Sequence, residues 1–184
     1  MEDEREILSR FNKLPTSNQV TALFVGAKDI GKHRVANAIT KCNLDFKPQI
    51  RTAKSLPLPP DPENKRPRID FVVFFIDMSN KTSLDIVKNS LKYVDVEYFL
   101  GHCCFVVTNV KNEPIHAIGI QDVVGLSDMY DSPLICSELQ TKQGQNCLAR
   151  KLVHYLQIAS GHCSDLTPML VDVTKRSFLQ EEET

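Results

Sequence analysis

Apolar runs alternate with amphipathic segments along most of this 184-residue chain. Four short runs have the length and the β-branched or aromatic content of buried strands. They lie at 20–25, 69–77, 103–108 and 133–136. Between them, apolar residues recur at helical spacing, and the longest such segment predicts an amphipathic helix over 141–160. The chain therefore reads as strands separated by helices.

This alternation predicts an α/β fold of three layers, with a mostly parallel sheet flanked by helices. We divide the chain into an N-terminal extension (1–17), a single domain (18–178) and an acidic disordered tail (179–184). The segment 55–68 interrupts the rhythm because it carries five of the ten prolines. Proline excludes helix and central strand, so we predict a surface loop there.

Composition narrows the classes of function. The formal net charge is −1, and no cluster of Lys and Arg offers the phosphate-neutralising stripe of a DNA-binding protein. The longest apolar run is too short to span a bilayer, and the first five residues are charged, unlike a signal peptide. We expect a protein that is neither secreted nor embedded in a membrane and that does not recognise nucleic acid by sequence.

Six cysteines occur without a C-x-x-C pair, which favours reduced thiols, several of them in the core. The tripeptide Gly-His-Cys occurs twice, at 101–103 and 161–163, and two His with two Cys form a possible zinc site. Adjacent residues on a strand point to opposite faces, however, so His102 and Cys103 are poorly placed to share one ion. We predict no metal.

The segment 26–33 matches the phosphate-binding pattern G-x-x-x-x-G-K-[ST] up to its last letter. In that pattern glycines let backbone N–H groups surround phosphates, the lysine reaches the terminal phosphates and the hydroxyl binds magnesium. Gly26, Gly31 and Lys32 are present, but His33 replaces the hydroxyl residue. The loop therefore has the glycines and the lysine that surround a phosphate but lacks the magnesium ligand. The alternative interpretation is a plain strand-to-helix turn.

Other parts of a GTP-hydrolysing site are missing. Thr52 is the only threonine near the expected switch position, and no Asp-x-x-Gly turn occurs between Lys32 and Asp70. After the third predicted strand the chain reads Thr-Asn-Val-Lys-Asn over 108–112, which lacks the aspartate that reads guanine. Asp77 ends a buried strand and has two interpretations: a magnesium-binding acid, or the first residue of an ordinary strand-to-helix turn.

Several short segments together resemble the centromere protein M family. They are 23–26, 53–59, 66–70, 98–101, 132–134, 156–158 and 161–162, within a resemblance that covers roughly 12–175. The resemblance implies a small-GTPase-like (P-loop-like) fold with a degenerate nucleotide site, no catalysis and no cofactor. It also implies a nuclear subunit of the constitutive centromere-associated network at the inner kinetochore, with centromere proteins H, I and K as partners.

Without a phosphate sensor, such a protein acts through a fixed surface. Two apolar groups are candidate partner contacts: Tyr98, Phe99 and Leu100 in one turn, and Leu166, Met169 and Leu170 near the C-terminus. The alternative is that both groups pack in the domain's own core. A different class of function also stays open, namely weak binding of GTP, ATP or another anion at the turn from Gly26 to Lys32.

Overall fold

The computed structural model describes residues 7–16, 18–61, 63 and 65–162. In this part of the chain there are five strands, four α-helices and two short 3-10 turns. The strands are β1 (Gln19–Val25), β2 (Lys47–Ala53), β3 (Phe71–Asp77), β4 (Cys103–Thr108) and β5 (Leu134–Cys136). The helices are α1 (Lys32–Ile39), α2 (Lys81–Leu91), α3 (Ile120–Met129) and α4 (Lys142–Ala159). The 3-10 turns are Val96–Phe99 and Glu113–Ile115.

The strands form one parallel sheet in the order β2-β1-β3-β4-β5. This is the order of flavodoxin-like doubly wound folds, in which crossovers place helices on both faces of the sheet. The predicted α/β class, with a mostly parallel sheet between helices, is confirmed. The finer small-GTPase-like detail stays a prediction.

Alternate residues of each strand enter two separate cores, as the two-residue period of a strand requires. On one face Phe24, Phe75 and Val106 pack beneath α1 and α4. On the other face Leu23, Phe74 and Phe105 pack beneath α2 and α3. Burial on both faces explains why β3 and β4 are continuous apolar runs in the sequence.

β2 is the strand that the apolar pattern did not predict. Its sequence, KPQIRTA, is polar and contains a proline, and none of its residues is fully buried. It lies at the edge of the sheet, pairing with β1. Edge strands tolerate proline and charge because one side of their backbone makes no ladder hydrogen bonds.

The proline-rich segment 55–68, here called the strap, lies on the second core face rather than only in solvent. Leu56 is buried in that core, and its N–H donates to Ser90 Oγ of α2 over 3.0 Å. Lys13 Nζ donates to the carbonyl of Arg66 and lies 3.9 Å from Asp61 Oδ2. The strap is therefore held by both α2 and the N-terminal segment.

The N-terminal segment also joins the turn after α2. Leu8 forms a parallel bridge with Val94, its N–H donates to the carbonyl of Tyr93 over 2.8 Å, and its carbonyl accepts from Asp95 N–H over 3.0 Å. These bonds lie at the edge of the sheet where the strands begin, here called the amino edge. The opposite edge, where the strands end, is called the carboxyl edge. The predicted acidic tail lies outside the described residues.

Candidate functional site

The glycine turn from 26 to 31 joins β1 to α1 at the carboxyl edge, as the sequence predicted. A Cβ atom on Gly26 would lie only 2.8 Å from the carbonyl oxygen of Phe75 and 2.9 Å from its Cβ. Gly31 has φ +97°, a left-handed conformation that favours glycine. Both glycines are therefore required by packing and backbone geometry inside the protein.

Lys32 points into the protein. Its side chain is only 5% exposed, and Nζ donates to the carbonyls of Gly26 and Ala53, the latter over 2.7 Å. Burial lowers the pKa of Lys32 to about 8, and the nearby Asp29 carboxylate opposes that shift only in part. The ammonium group thus ties the turn to the end of β2.

Leu139 packs against the same turn. It is 4% exposed, and its Cδ1 would lie 3.0 Å from a Cβ built on Gly31. Its carbonyl accepts hydrogen bonds from Gln145 Nε2 over 2.8 Å and from Arg34 over 3.4 Å. Doubly wound sheets bind ligands at this edge, and here an apolar side chain from the β5–α4 connection lies on the loop.

His33, which replaces the hydroxyl residue of the phosphate-binding pattern, is exposed at the start of α1. Asp29 precedes the second glycine with φ +62°, so it occupies the left-handed region that an Asp tolerates better than most residues. The turn therefore lies between a strand and a helix, where the motif predicts a loop. Its side chains serve the fold or face solvent.

Asp77 and Asn109 join the ends of β3 and β4. Asp77 Oδ1 accepts from Ser79 N–H over 2.9 Å, from Ser79 Oγ over 2.7 Å and from Asn109 Nδ2 over 2.8 Å. The carbonyl of Asn109 contacts His116 Nε2 over 2.9 Å. Of the two interpretations of Asp77, this geometry is that of a strand-to-helix turn. The Asn109 amide, within the segment 108–112, is thus already bonded to the Asp77 carboxylate.

The first group of candidate contact residues divides between core and surface. The structure corrects one of them: Tyr98 is completely buried, and its hydroxyl donates to the carbonyl of Ile69 over 2.9 Å. Phe99 is half-buried against Tyr130, with ring centroids 4.7 Å apart. Leu100 is 59% exposed, so it is the one residue of the three with most of its side chain in solvent.

Three further exposed apolar side chains accompany Leu100 at the amino edge. Val96 lies in the same turn, Met129 is adjacent to the Tyr130 that contacts Phe99, and Ile7 is adjacent to the bridging Leu8. We call Ile7, Val96, Leu100 and Met129 the amino-edge patch. The sequence analysis missed the other three, although an apolar residue in a short 3-10 turn or at the last position of a helix is a usable signal. The second candidate group, Leu166, Met169 and Leu170, lies outside the described residues.

Beneath the patch lies a buried polar cluster. Arg68 Nε is 3.1 Å from Asp70 Oδ1, and Asp70 Oδ2 accepts from Thr21 N–H over 2.9 Å. Burial raises the pKa of Asp70 despite these partners. His102 is 6% exposed, and its Nδ1 has no hydrogen-bond partner among the described residues. Burial, reinforced by the charge of Arg10, lowers the pKa of His102 to about 4.

Within the described ranges, no group of three His, Cys, Asp or Glu side chains is placed to hold a metal ion. Cys103 and Cys104 are buried thiols on β4, as predicted for core cysteines, whereas Cys136 is exposed. Cys163, the last residue of the second Gly-His-Cys, lies beyond the described residues. No helix in the part of the chain that the structure describes is both long and apolar enough to cross a membrane.

Comparison with known proteins agrees with the resemblance seen in the sequence. The sequence model of the family described as centromere protein M matches residues 5–178. Human centromere protein M is 36% identical over 156 residues, which cover 85% of this chain and 86% of the human protein. The zebrafish (Danio rerio) protein of that name is 34% identical over 163 residues, which cover 89% of this chain and 86% of the zebrafish protein. The Xenopus laevis protein of that name is 33% identical over 173 residues, which cover 94% of this chain and 96% of the frog protein. Identity at this level over nearly the whole length shows that the chain belongs to the centromere protein M family.

Proposed function

We propose that this chain is a non-catalytic structural subunit of the centromere. More specifically, it acts in the constitutive centromere-associated network at the inner kinetochore, in the nucleus. There it supports kinetochore assembly, the association of centromere protein A chromatin and chromosome segregation in mitosis. Family membership and the name shared by the human, zebrafish and frog relatives support the centromeric part of this proposal.

The observation that carries the non-catalytic part is the position of Lys32. A phosphate-binding lysine has to point its ammonium group at the ligand, whereas this one donates to the carbonyls of Gly26 and Ala53. A phosphate would have to compete with these hydrogen bonds, each worth roughly 1.5–3 kcal/mol for a charged donor. A ligand with no differential affinity for two states drives no switch, so a fixed surface is the better account.

The amino-edge patch is the proposed contact surface for protein partners. Its exposed fractions are 54% for Ile7, 71% for Val96, 59% for Leu100 and 76% for Met129. Neighbouring exposed apolar side chains mark interaction sites more often than scattered ones do. By resemblance, the partners are centromere proteins H, I and K. The proposed contacts also include the second candidate group, Leu166, Met169 and Leu170.

Reconstitution with centromere proteins H, I and K tests the patch. We expect Leu100→Glu to weaken assembly at least roughly tenfold, because it places an unpaired charge in an apolar contact. Ile115→Glu is a matched control, since Ile115 is 47% exposed but belongs to the other 3-10 turn, at the carboxyl edge. Equal behaviour of the two variants in size-exclusion chromatography of the complex would contradict the proposed surface.

Titration with fluorescent GTP and ATP in the presence of magnesium tests the non-catalytic claim. We expect binding weaker than about 1 mM and no change in melting temperature. Micromolar, magnesium-dependent binding that disappears in Lys32→Ala would overturn the claim and favour a nucleotide-binding protein. This titration is independent of the assembly experiment, so the two parts of the proposal can fail separately.

A further inference from the structure

One face of the sheet is covered unevenly. On the face of the second core, α2 packs on β3, while above β1 and β2 the described residues place the strap and no helix. Ala53 of β2 enters that core, and strand alternation places Lys47, Gln49 and Arg51 on the same side. Parallel sheets are normally covered on both faces. Among the described residues, the outer part of this face is therefore unusual, because it carries polar side chains that no helix covers.

A cleft of about 440 Å³ lies between this part of the sheet and the strap. Leu23 and Ile69 form its floor, Leu58 and Pro59 form one wall, and Arg51 and Lys65 line its rim. The volume falls within the ~300–1,000 Å³ typical of small-ligand pockets. The cleft thus combines an apolar floor with a basic rim.

The lining carries a net positive charge, because Arg51, Lys65 and Arg66 line the cleft together with a single carboxylate, that of Asp61. Arg51 is exposed, and its side chain forms no hydrogen bond or ion pair with another described residue. Lys65 pairs with Glu63, but both side chains are mostly exposed, and such a pair contributes little free energy. Asp61 is the one acidic lining residue, and its carboxylate already accepts from the N–H groups of Arg66 and Lys65, which lowers its pKa.

Addition of a strand to the free edge of β2 does not suit this site. Pro48 lacks an N–H donor, and the charged Lys47 and Arg51 flank it on the same strand. Both features are devices by which edge strands resist pairing with other chains. An occupant must therefore lie in the cleft, on the face of the sheet.

We propose that this cleft is a docking site for a short, extended acidic segment of another protein. One apolar side chain of that segment lies between Leu58 and the floor, and its carboxylates face Arg51 and Lys65. The strap is already anchored to α2 through Leu56 and to the N-terminal segment through Lys13, so the wall is in place before binding. This site shares no lining residue with the amino-edge patch and does not depend on the proposed centromeric role.

A synthetic peptide that repeats Glu-Asp-Leu-Pro serves as the probe, with the full-length chain as target. We expect saturable binding by fluorescence polarisation at near-physiological salt, with NMR shift changes concentrated in β2 and the strap. Replacing Arg51 and Lys65 together by Glu should weaken binding at least roughly tenfold. The double replacement of Lys81 and Lys88 by Glu on the exposed side of α2 is the control for total charge, with an expected change below about twofold.

Three outcomes would overturn the proposal. Equal weakening by the two double variants would mean that the peptide responds to net charge alone. If a peptide with Ser in place of Leu bound equally well, the cleft would not hold an apolar side chain. Tighter binding of a single-stranded oligonucleotide of equal charge, lost in the Arg51 and Lys65 double variant, would assign the cleft to phosphates instead. Circular dichroism of each variant checks that the fold is retained.

Discussion

At the carboxyl edge of the sheet the polar groups bond to one another and to main-chain carbonyls, whereas the amino edge places apolar side chains in solvent above a buried charged cluster. Lys32 and Asp77 illustrate the first edge, since each has its partners inside the chain. Leu100 and His102 illustrate the second, one exposed and the other buried with an unpartnered nitrogen. Ligand chemistry usually belongs to the carboxyl edge. In this protein the polar groups at that edge are occupied by internal bonds, and the partner surface that we propose lies at the other edge.

The largest expected effect on stability distinguishes the buried Tyr98 from the exposed Leu100 at the amino edge. Tyr98→Ala removes a fully buried ring and its hydrogen bond to Ile69, so we expect the free energy of unfolding to fall by about 4 kcal/mol. Leu100→Ala, two residues along, should change it by less than about 0.5 kcal/mol. Urea denaturation measures both. If Tyr98→Ala lost little stability, Tyr98 would not be a core residue and would again be a candidate partner contact.

A somewhat smaller effect is expected at the glycine turn. Gly26→Ala forces a methyl group against Phe75, and overpacking of this kind should lower the free energy of unfolding by about 3 kcal/mol. Gly125→Ala is the matched control, because a Cβ there meets nothing within 4 Å and lies in α3. That control should gain about 0.5–1 kcal/mol. If Gly26→Ala were as stable as wild type, the close approach to β3 would not be what requires this glycine.

Acid should weaken the amino edge through His102. Its pKa of about 4 lies below the ordinary 6.5, so the unfolded chain binds this proton first. Stability from this group is therefore full above about pH 6.5 and falls as the pH drops toward 4, by roughly 2 kcal/mol at pH 5. His102→Gln should remove that part of the pH slope. His154→Gln, on the exposed side of α4, is the control and should leave the slope unchanged.

Alkali should have the opposite effect at the carboxyl edge. The pKa of Lys32 is lowered from 10.5 to about 8, so the unfolded chain holds this proton to higher pH and stability rises as the pH increases through that interval. Relative to Lys32→Met, wild type should gain roughly 2 kcal/mol between pH 7 and pH 9.5. Thermal unfolding across this range measures the difference. A constant difference would mean that Lys32 is more hydrated than its burial indicates.

The central strands were predictable because burial on both faces leaves an unbroken apolar run. β3 and β4 show this directly, and the glycines at 26 and 31 located the turn before α1. β2 escaped prediction because an edge strand with little buried surface has no such run, and Ile50 is its one strongly apolar residue. Its strand conformation is set by pairing with β1, which is information from elsewhere in the chain.

The candidate site was predictable in its location and unpredictable in its contacts. The motif placed Lys32 correctly, but whether its ammonium group faces a ligand or a carbonyl depends on where β2 ends. Similarly, three consecutive apolar residues at 98–100 could not be assigned to core or surface, because a four-residue 3-10 turn is too short to show a period. Tertiary packing decided both cases.

The bridge between Leu8 and Val94 has a practical consequence for experiments on assembly. It holds Leu8, and therefore the preceding Ile7, beside Tyr93 and Asp95 at the amino edge. A fusion domain joined just ahead of Ile7 would cover part of the apolar surface and compete sterically with a partner. The affinity for a protein partner should therefore be lower when the tag is at the amino terminus than when it is at the other end of the chain.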